Sequence, residues 1–269
     1  MLEEKNGRKI ESIKFNKNSV SIYFENGESL KICEATFTHF YFYKDKVLSD
    51  EEYKSIEDHQ ALNSSKQYAI NLLSKGMYTE KEILNRLINK KKLTSSDAKK
   101  IIDYLLEHNF LNDNKYFEEY VDSLNRKKYG KNKIERKCLE EGFSKSLVDN
   151  MIFEEEKEKE KAIYQLNKYV EGKNKNYNQL KENAYTFLIN QGFDFDICSN
   201  VIKIIDDIYD FSKEKILLEK ELVKYLRSHD VNLKDYNDYQ KVLITFTRKG
   251  YSYEDVKNVI KGVTENEIC

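Results

Sequence analysis

Between Arg126 and Lys137 the chain reads RKKYGKNKIERK, with seven basic residues (Arg126, Lys127, Lys128, Lys131, Lys133, Arg136 and Lys137) against the single acid Glu135. Cations at this density bind phosphates or an acidic protein groove, and Tyr129 in their midst offers a ring on which a base can stack. The same residues also suit a solvated helix face, with Tyr129 packed against its own helix pair. A second basic group, Lys90, Lys91 and Lys92, stands at the corresponding corner of an earlier, related segment. Glu154 to Glu160 (EEEKEKE) holds five acids against two lysines. Such a run either solvates a helix start, where carboxylates complement the helix dipole, or keeps nucleic acid off one side.

Other chemistry is excluded by residue type and spacing. The nine glycines come no closer than twelve residues (Gly130 to Gly142, Gly250 to Gly262), which leaves neither a Walker A loop nor a G-x-G-x-x-G turn. His39, His59, His108 and His229 are dispersed without an H-E-x-x-H. Cys33, Cys138, Cys198 and Cys269 form no C-x-x-C, and Cys138 and Cys198 fall on apolar faces where they act as core packing. Carboxylate pairs such as Asp206/Asp207 and Glu118/Glu119 are adjacent on helices and so point apart. No catalytic residue, metal or cofactor is expected, and the chain reads as a non-enzyme.

The elements that would position the basic residues are helices. There is no proline among 269 residues, where an average usage of roughly 5% would give about thirteen. The 46 basic and 47 acidic residues sum to -1, so the whole-chain charge names no partner, and the balance conceals local segregation. Twenty Tyr and fourteen Phe make the chain too aromatic for disorder. No stretch approaches the roughly 20 apolar residues of a membrane span, and the start lacks the apolar run of a secretory signal. A soluble, cytoplasmic protein is expected.

The first 48 residues differ from the rest. Ile10, Ile13 and Phe15, then Val20, Ile22 and Phe24, then Leu30 and Ile32 read as strands, with Asn26-Gly27 predicting a type I′ hairpin turn. Phe37 to Tyr43 fits a strand or a short helix. Ser49-x-x-Glu52 is a capping box, after which helix should dominate. The motif GFS at Gly142, GFD at Gly192 and GYS at Gly250, with Lys92 as a degenerate first copy, anchors a repeat. Around it, offset minus eight (Leu84, Ile134, Ala184, Val242), minus four (Ile88, Cys138, Leu188, Phe246), plus six (Ala98, Val148, Cys198, Val256), plus nine (Ile101, Met151, Val201, Val259) and plus ten (Ile102, Ile152, Ile202, Ile260) are all apolar. Each set draws one helix face. The expected fold is therefore mainly α: tandem three-helix-bundle repeats forming an elongated curved array, with a small N-terminal β-hairpin segment. The expected division is a β-rich extension at 1–48 and helical repeats at 49–110, 111–154, 155–211 and 212–269. In each repeat the anchor residue ends helix two in the left-handed conformation.

In the second repeat, Phe110-Leu111-Asn112-Asp113-x-x-Tyr116, Tyr120-Val121, Arg126, Gly130, Ile134, Leu139 and Gly142-Phe143 resemble the central motif of the RecX family. Ala69-Ile70-x-Leu72-Leu73 and Thr79-x-x-Glu82-Ile83-x-x-Arg86-Leu87 look like that family's first repeat, and the N-terminal hairpin is similar to the extension of its longer members. The chain departs from the family pattern at Asn112, Phe117 and Glu141, where a second Asp, a small Ala and a Lys are usual. The resemblance implies a regulator of RecA that lodges in the groove of the RecA–DNA filament and suppresses recombinase, ATPase and co-protease activity, acting in DNA repair, homologous recombination and the SOS response. It further implies DNA binding, expected to be weak and salt-dependent; a monomer without a membrane partner is expected. Leu111, Asp113, Tyr116, Gly130 and Gly142 would be structural motif residues. Lys90, Lys91, Lys92, Arg126, Lys127, Lys128, Lys131, Lys133, Arg136 and Lys137 would face RecA or DNA. The alternative is a stand-alone DNA-binding helical-repeat protein.

Overall fold

A computed structural model describes residues 7–229 and 231–266; Cys269 lies outside them. The chain divides into two compact units, 1–118 with 141–143, and 119–140 with 144–269.

The first unit opens with β1 (Arg8–Asn16), β2 (Ser19–Phe24), β3 (Ser29–Ile32) and β4 (Val47–Leu48), an antiparallel sheet ordered β3-β2-β1-β4. Alternation puts Ile10, Val20, Ile22, Phe24 and Ile32 on its buried side. The hairpin at Asn26-Gly27 forms, but not as a type I′ turn: Gly27 alone has positive φ (+84°), its N–H donates to Phe24 O, and Phe24 N–H donates to Glu28 O. This is a type I turn followed by a left-handed glycine bulge, which matches strand twist with one positive φ rather than two. The aromatic run after β3 is helical, α1 (Glu34–Phe40), ended by left-handed Tyr41.

Ser49 starts α2 (Asp50–Leu73) with both arms of its capping box in place. This helix serves two cores: Ile56 packs with the sheet, while Ala69 joins α3 (Glu80–Lys91) and α4 (Ser95–Glu107) around Ile83, Leu87, Ala98, Ile101, Ile102 and Leu105. Lys92 takes the left-handed position that glycine fills in the later copies (φ +57°). The inward residues of α3 are Ile83 and Leu87, one position earlier than the aligned Leu84 and Ile88, which are only half-buried.

The chain continues through α5 (Asp113–Arg126), α6 (Lys131–Glu141) and the short α7 (Lys145–Asp149). In the second unit follow α8 (Glu155–Val170), α9 (Tyr177–Gln191), α10 (Phe195–Val201) and α11 (Ile204–Ile208), then α12 (Phe211–Ser228), α13 (Tyr236–Arg248) and α14 (Tyr253–Asn266). One core gathers Ala162, Leu166, Ala184, Leu188, Cys198 and Val201; another gathers Leu218, Leu222, Val242, Phe246, Val256 and Val259. Gly142, Gly192 and Gly250 all have the left-handed φ expected of them. Cys138 and Cys198 are buried, and desolvation pushes the Cys198 thiol up to about 11, an inert packing group. The pattern fails at Ile152, which is 92% exposed. The third helix of its copy, α7, stops after five residues, so the plus-ten position falls beyond it. No described helix is long and apolar enough to cross a membrane.

Candidate nucleic-acid interface

The basic stretch begins where α5 ends. Lys128 adopts φ +57°, its N–H donating to Asn125 O, and Tyr129 N–H donates back to Leu124 O, so the chain reverses between Arg126 and Lys131. Side chains of α8 hold this turn from beneath. The Gln165 amide donates to both Lys127 O (3.0 Å) and Lys128 O (3.1 Å), and Lys161 Nζ donates to Asn125 Oδ1 (2.7 Å). Glu158 accepts from the first amide of α6, Lys131 N–H (2.9 Å), through one oxygen and from Lys161 Nζ (2.6 Å) through the other. With side-chain exposures of 6% and 13%, Glu158 and Lys161 form a desolvated pair whose remaining polar atoms are bonded, the condition under which such a pair holds. The acidic run is thus not uniformly solvated. Glu154, Glu155 and Glu156 pair with lysines on their own helix at the surface, whereas Glu158 turns inward.

The other side of the turn is backbone on backbone. Gly130 N–H donates to Gln191 O (2.9 Å) and Asn132 N–H to Gly192 O (3.0 Å). A Cβ on Gly130 would lie 2.5 Å from Gly192 C and O, and one on Gly192 would overlap the Lys133 backbone. The start of α6 therefore rests directly on the glycine that ends α9.

These constraints sort the cations. Arg126 and Lys127, with Lys168 and Lys173 from the end of α8 and the loop beyond it, rim a cavity of about 660 Å³ lined by Tyr129, Tyr164, Tyr169 and Phe187. Arg126, Lys127 and Lys168 have no carboxylate within 4 Å among the described residues. Lys128 lines a separate hollow of about 740 Å³ that it shares with Glu154, Glu158 and Glu160. Farther on, Lys131 reaches Glu135 (4.0 Å) and Arg136 reaches Glu140 (3.6 Å) along α6. Lys133 sits 4.2 Å over the Tyr129 ring and donates to Gln191 Oε1; burial first, then Lys137 and Arg136, hold its ammonium below the usual lysine range. Tyr129 does both things its position allowed, packing under Lys133 while bordering the cavity. In the first unit, exposed Lys90 stands in the last turn of α3, Lys91 at its end lies 4.5 Å over Tyr68, and Lys92 is the left-handed cap.

The motif residues occupy joints. Leu111 is buried. Asp113 accepts from Glu80 N–H (2.9 Å), the first amide of α3, and its burial raises the carboxyl above the usual range. Tyr116 O–H donates to Glu141 Oε1 (2.7 Å), which gives that carboxylate a structural partner. Phe117 meets Phe143 edge-on at 5.2 Å, filling space a smaller side chain would leave open. Asp113 on Glu80, Glu158 on Lys131 and Glu214 on Tyr177 (3.1 Å) are one device used three times: an acid early in a triplet's first helix caps the preceding triplet's second helix. Sequence reasoning missed it, because first-turn acids are common and only folding shows which of them reach another helix.

No family model matches the chain. Similar proteins span nearly all of it. The regulatory protein RecX of Streptococcus uberis is 27% identical over 259 residues, covering 95% of this chain and 99% of that one. The regulatory protein RecX of Lactococcus lactis subsp. lactis is 26% identical over 251 residues, 90% and 92% of the two chains. The crystal structure of a regulatory protein RecX superposes with a TM-score of 0.58 at 20% identity, over 72% of this chain and 98% of its own, a likeness of fold. The chain is thus similar to regulatory proteins RecX along about nine-tenths of its length in sequence, and it shares their helical fold.

Proposed function

We propose that this protein binds RecA in the groove of the RecA–DNA filament and inhibits its recombinase, ATPase and co-protease activities. The observation that carries this reading is the near full-length likeness to proteins named as regulatory. The basic turn supports it, since Arg126 and Lys127 are exposed, free of carboxylates and backed by a rigid joint, as a phosphate contact requires. The test is titration of the protein, below stoichiometry, into RecA on single-stranded DNA, following ATP hydrolysis and strand exchange. Inhibition is expected, weakened when Arg126 and Arg136 are reversed to Glu. Unchanged rates would defeat the reading.

The same unpaired cations favour a second reading, DNA binding without RecA. About four phosphate contacts would make log affinity fall with log salt at a slope near roughly -3.6 on duplex DNA. A slope near zero, or one that neutralising Arg126, Lys127 and Lys128 leaves unchanged, would exclude it.

A further inference from the structure

We propose that the cavity beside Arg126 and Lys127 seats one unstacked base of a single-stranded nucleic acid, with the flanking phosphates on the cations at its rim. The proposal rests on the reading that this turn meets nucleic acid, and adds to it the strand form and the part of the nucleotide recognised.

Three observations converge. The first is size and lining: about 660 Å³ falls inside the range of roughly 300–1,000 Å³ typical of small-molecule sites, and four aromatic rings border it. Tyr169 and Phe187 stack on each other (centroids 4.5 Å apart, 23° between planes) with Lys173 Nζ 5.2 Å over the Tyr169 ring, while Tyr164, which borders both this cavity and the hollow beside Lys128, is 51% exposed with its ring uncommitted to any stacked partner among the described residues. A purely structural tyrosine gains nothing from that exposure; a base has two faces to offer it.

The second is charge. The rim cations come from two separate segments, the end of α5 and the end of α8, with Glu171 the lone acid between them. Cations at the C-terminal ends of helices offset the dipole, but that role needs no cavity and no aromatic lining. Two cationic segments give the phosphates on either side of a seated base separate partners. A free mononucleotide has only one side to offer.

The third is rigidity. The cavity wall is the turn that buried Gln165 grips through Lys127 O and Lys128 O, and Lys133 Nζ ties Tyr129 to Gln191. The seat is organised before anything enters it, which lowers the ordering cost of binding. A base within a duplex has both faces covered by its neighbours, so the ligand is a single strand.

The experiment uses the full chain without RecA. Fluorescence anisotropy compares a labelled 20-nucleotide oligothymidylate with an abasic oligonucleotide of the same length and phosphate count at one salt concentration. The thymidylate is expected to bind about tenfold more tightly, the scale of one base–aromatic stack. Tyr164→Ala should erase most of that difference and leave abasic binding unchanged, while Tyr164→Phe keeps it. Circular dichroism confirms folding, which an exposed position should tolerate. A 5-iododeoxyuridine oligonucleotide should photo-cross-link to the peptide carrying Tyr164 and Tyr169. Equal affinity for the two oligonucleotides, or a Tyr164→Ala effect equal on both, overturns the base seat while leaving phosphate binding intact. Competition by thymidine monophosphate at the oligonucleotide's own concentration overturns the single-strand assignment. Failure of both oligonucleotides to bind, or binding of polyglutamate in their place, defeats the underlying nucleic-acid reading instead.

Discussion

Two joints in the second unit do the same work with different materials. At Gly130 and Gly192 the start of α6 meets the end of α9 backbone to backbone, through two main-chain hydrogen bonds and with no space for a side chain on either glycine. At Gly250 the start of α9 meets the end of α13 through side chains: Asn176 donates to Lys249 O (2.8 Å) and Asn178 to Gly250 O (2.7 Å). Side chains can shift by tenths of an ångström; a backbone carrying a helix cannot. The backbone joint is also the one that fixes the basic turn, so the least compliant contact lies beneath the cations proposed to meet nucleic acid.

The contrast is sharpest for the two glycines. Gly192→Ala forces a Cβ into the Lys133 backbone at a left-handed φ of +94° and should cost about 4 kcal/mol, overpacking and backbone strain together. Gly250→Ala, at φ +101°, meets side-chain atoms instead, Asn176 Oδ1 at 3.0 Å and Asn178 Cβ at 3.2 Å, and should cost about 1–2 kcal/mol. Urea midpoints of the two variants decide this, and equal losses would break the distinction. Next comes the acid beneath the turn: Glu158→Ala leaves Lys161 without its carboxylate and Lys131 N–H without its cap, for a loss of about 3 kcal/mol. If thermal unfolding moved no more than for a surface acid such as Glu156, the inward orientation would be wrong.

Asn176→Ala tests the side-chain joint. The residue is 1% exposed, caps α9 at Gln179 N–H and bonds Lys249 O, so its removal should cost about 2 kcal/mol. The smallest effect belongs to Glu214→Gln, read across pH. Burial raises the Glu214 carboxyl above its ordinary value, so the native state holds that proton more tightly than the unfolded chain, and the charged form is a burden at neutral pH that acid relieves. Gln still accepts from Tyr177 N–H without the charge. The variant should be more stable than the parent by on the order of a few tenths of a kcal/mol above the raised pKa, an advantage that shrinks as pH falls through it to the ordinary carboxylate value. An advantage that grew in acid would reverse the assignment.

Much of this fold is written locally. Ser49 and Glu52 make their capping box within four residues, and the glycines of GFS, GFD and GYS end helices because left-handed φ suits them wherever the chain goes next. Apolar spacing found Cys138, Leu188 and Phe246 in their cores for the same reason. The exceptions show where local reasoning stops. Leu84 and Ile88 sit one position off the buried face of α3; Ile152 is outside because a repeat aligned on its turn does not report how far the next helix runs.

The candidate site divides along the same line. The sequence by itself determined that a dense basic stretch crosses a helix end and a helix start, that an acidic run follows, and that the segments around them are helices with apolar stripes, since all of these are matters of residue type and short spacing. Only the tertiary structure decided which charges are spent. Lys131 and Arg136 have acids on their own helix, Lys133 is committed to Tyr129 and Gln191, and Glu158 is drawn inward. Arg126 and Lys127 are left facing a ring-lined cavity formed with α8 and α9. The two pairs along α6 are local, but the inward turn of Glu158 onto Lys131 and the commitment of Lys133 to Gln191 join segments 27 and 58 residues apart, brought together where backbone meets backbone at Gly130 and Gly192.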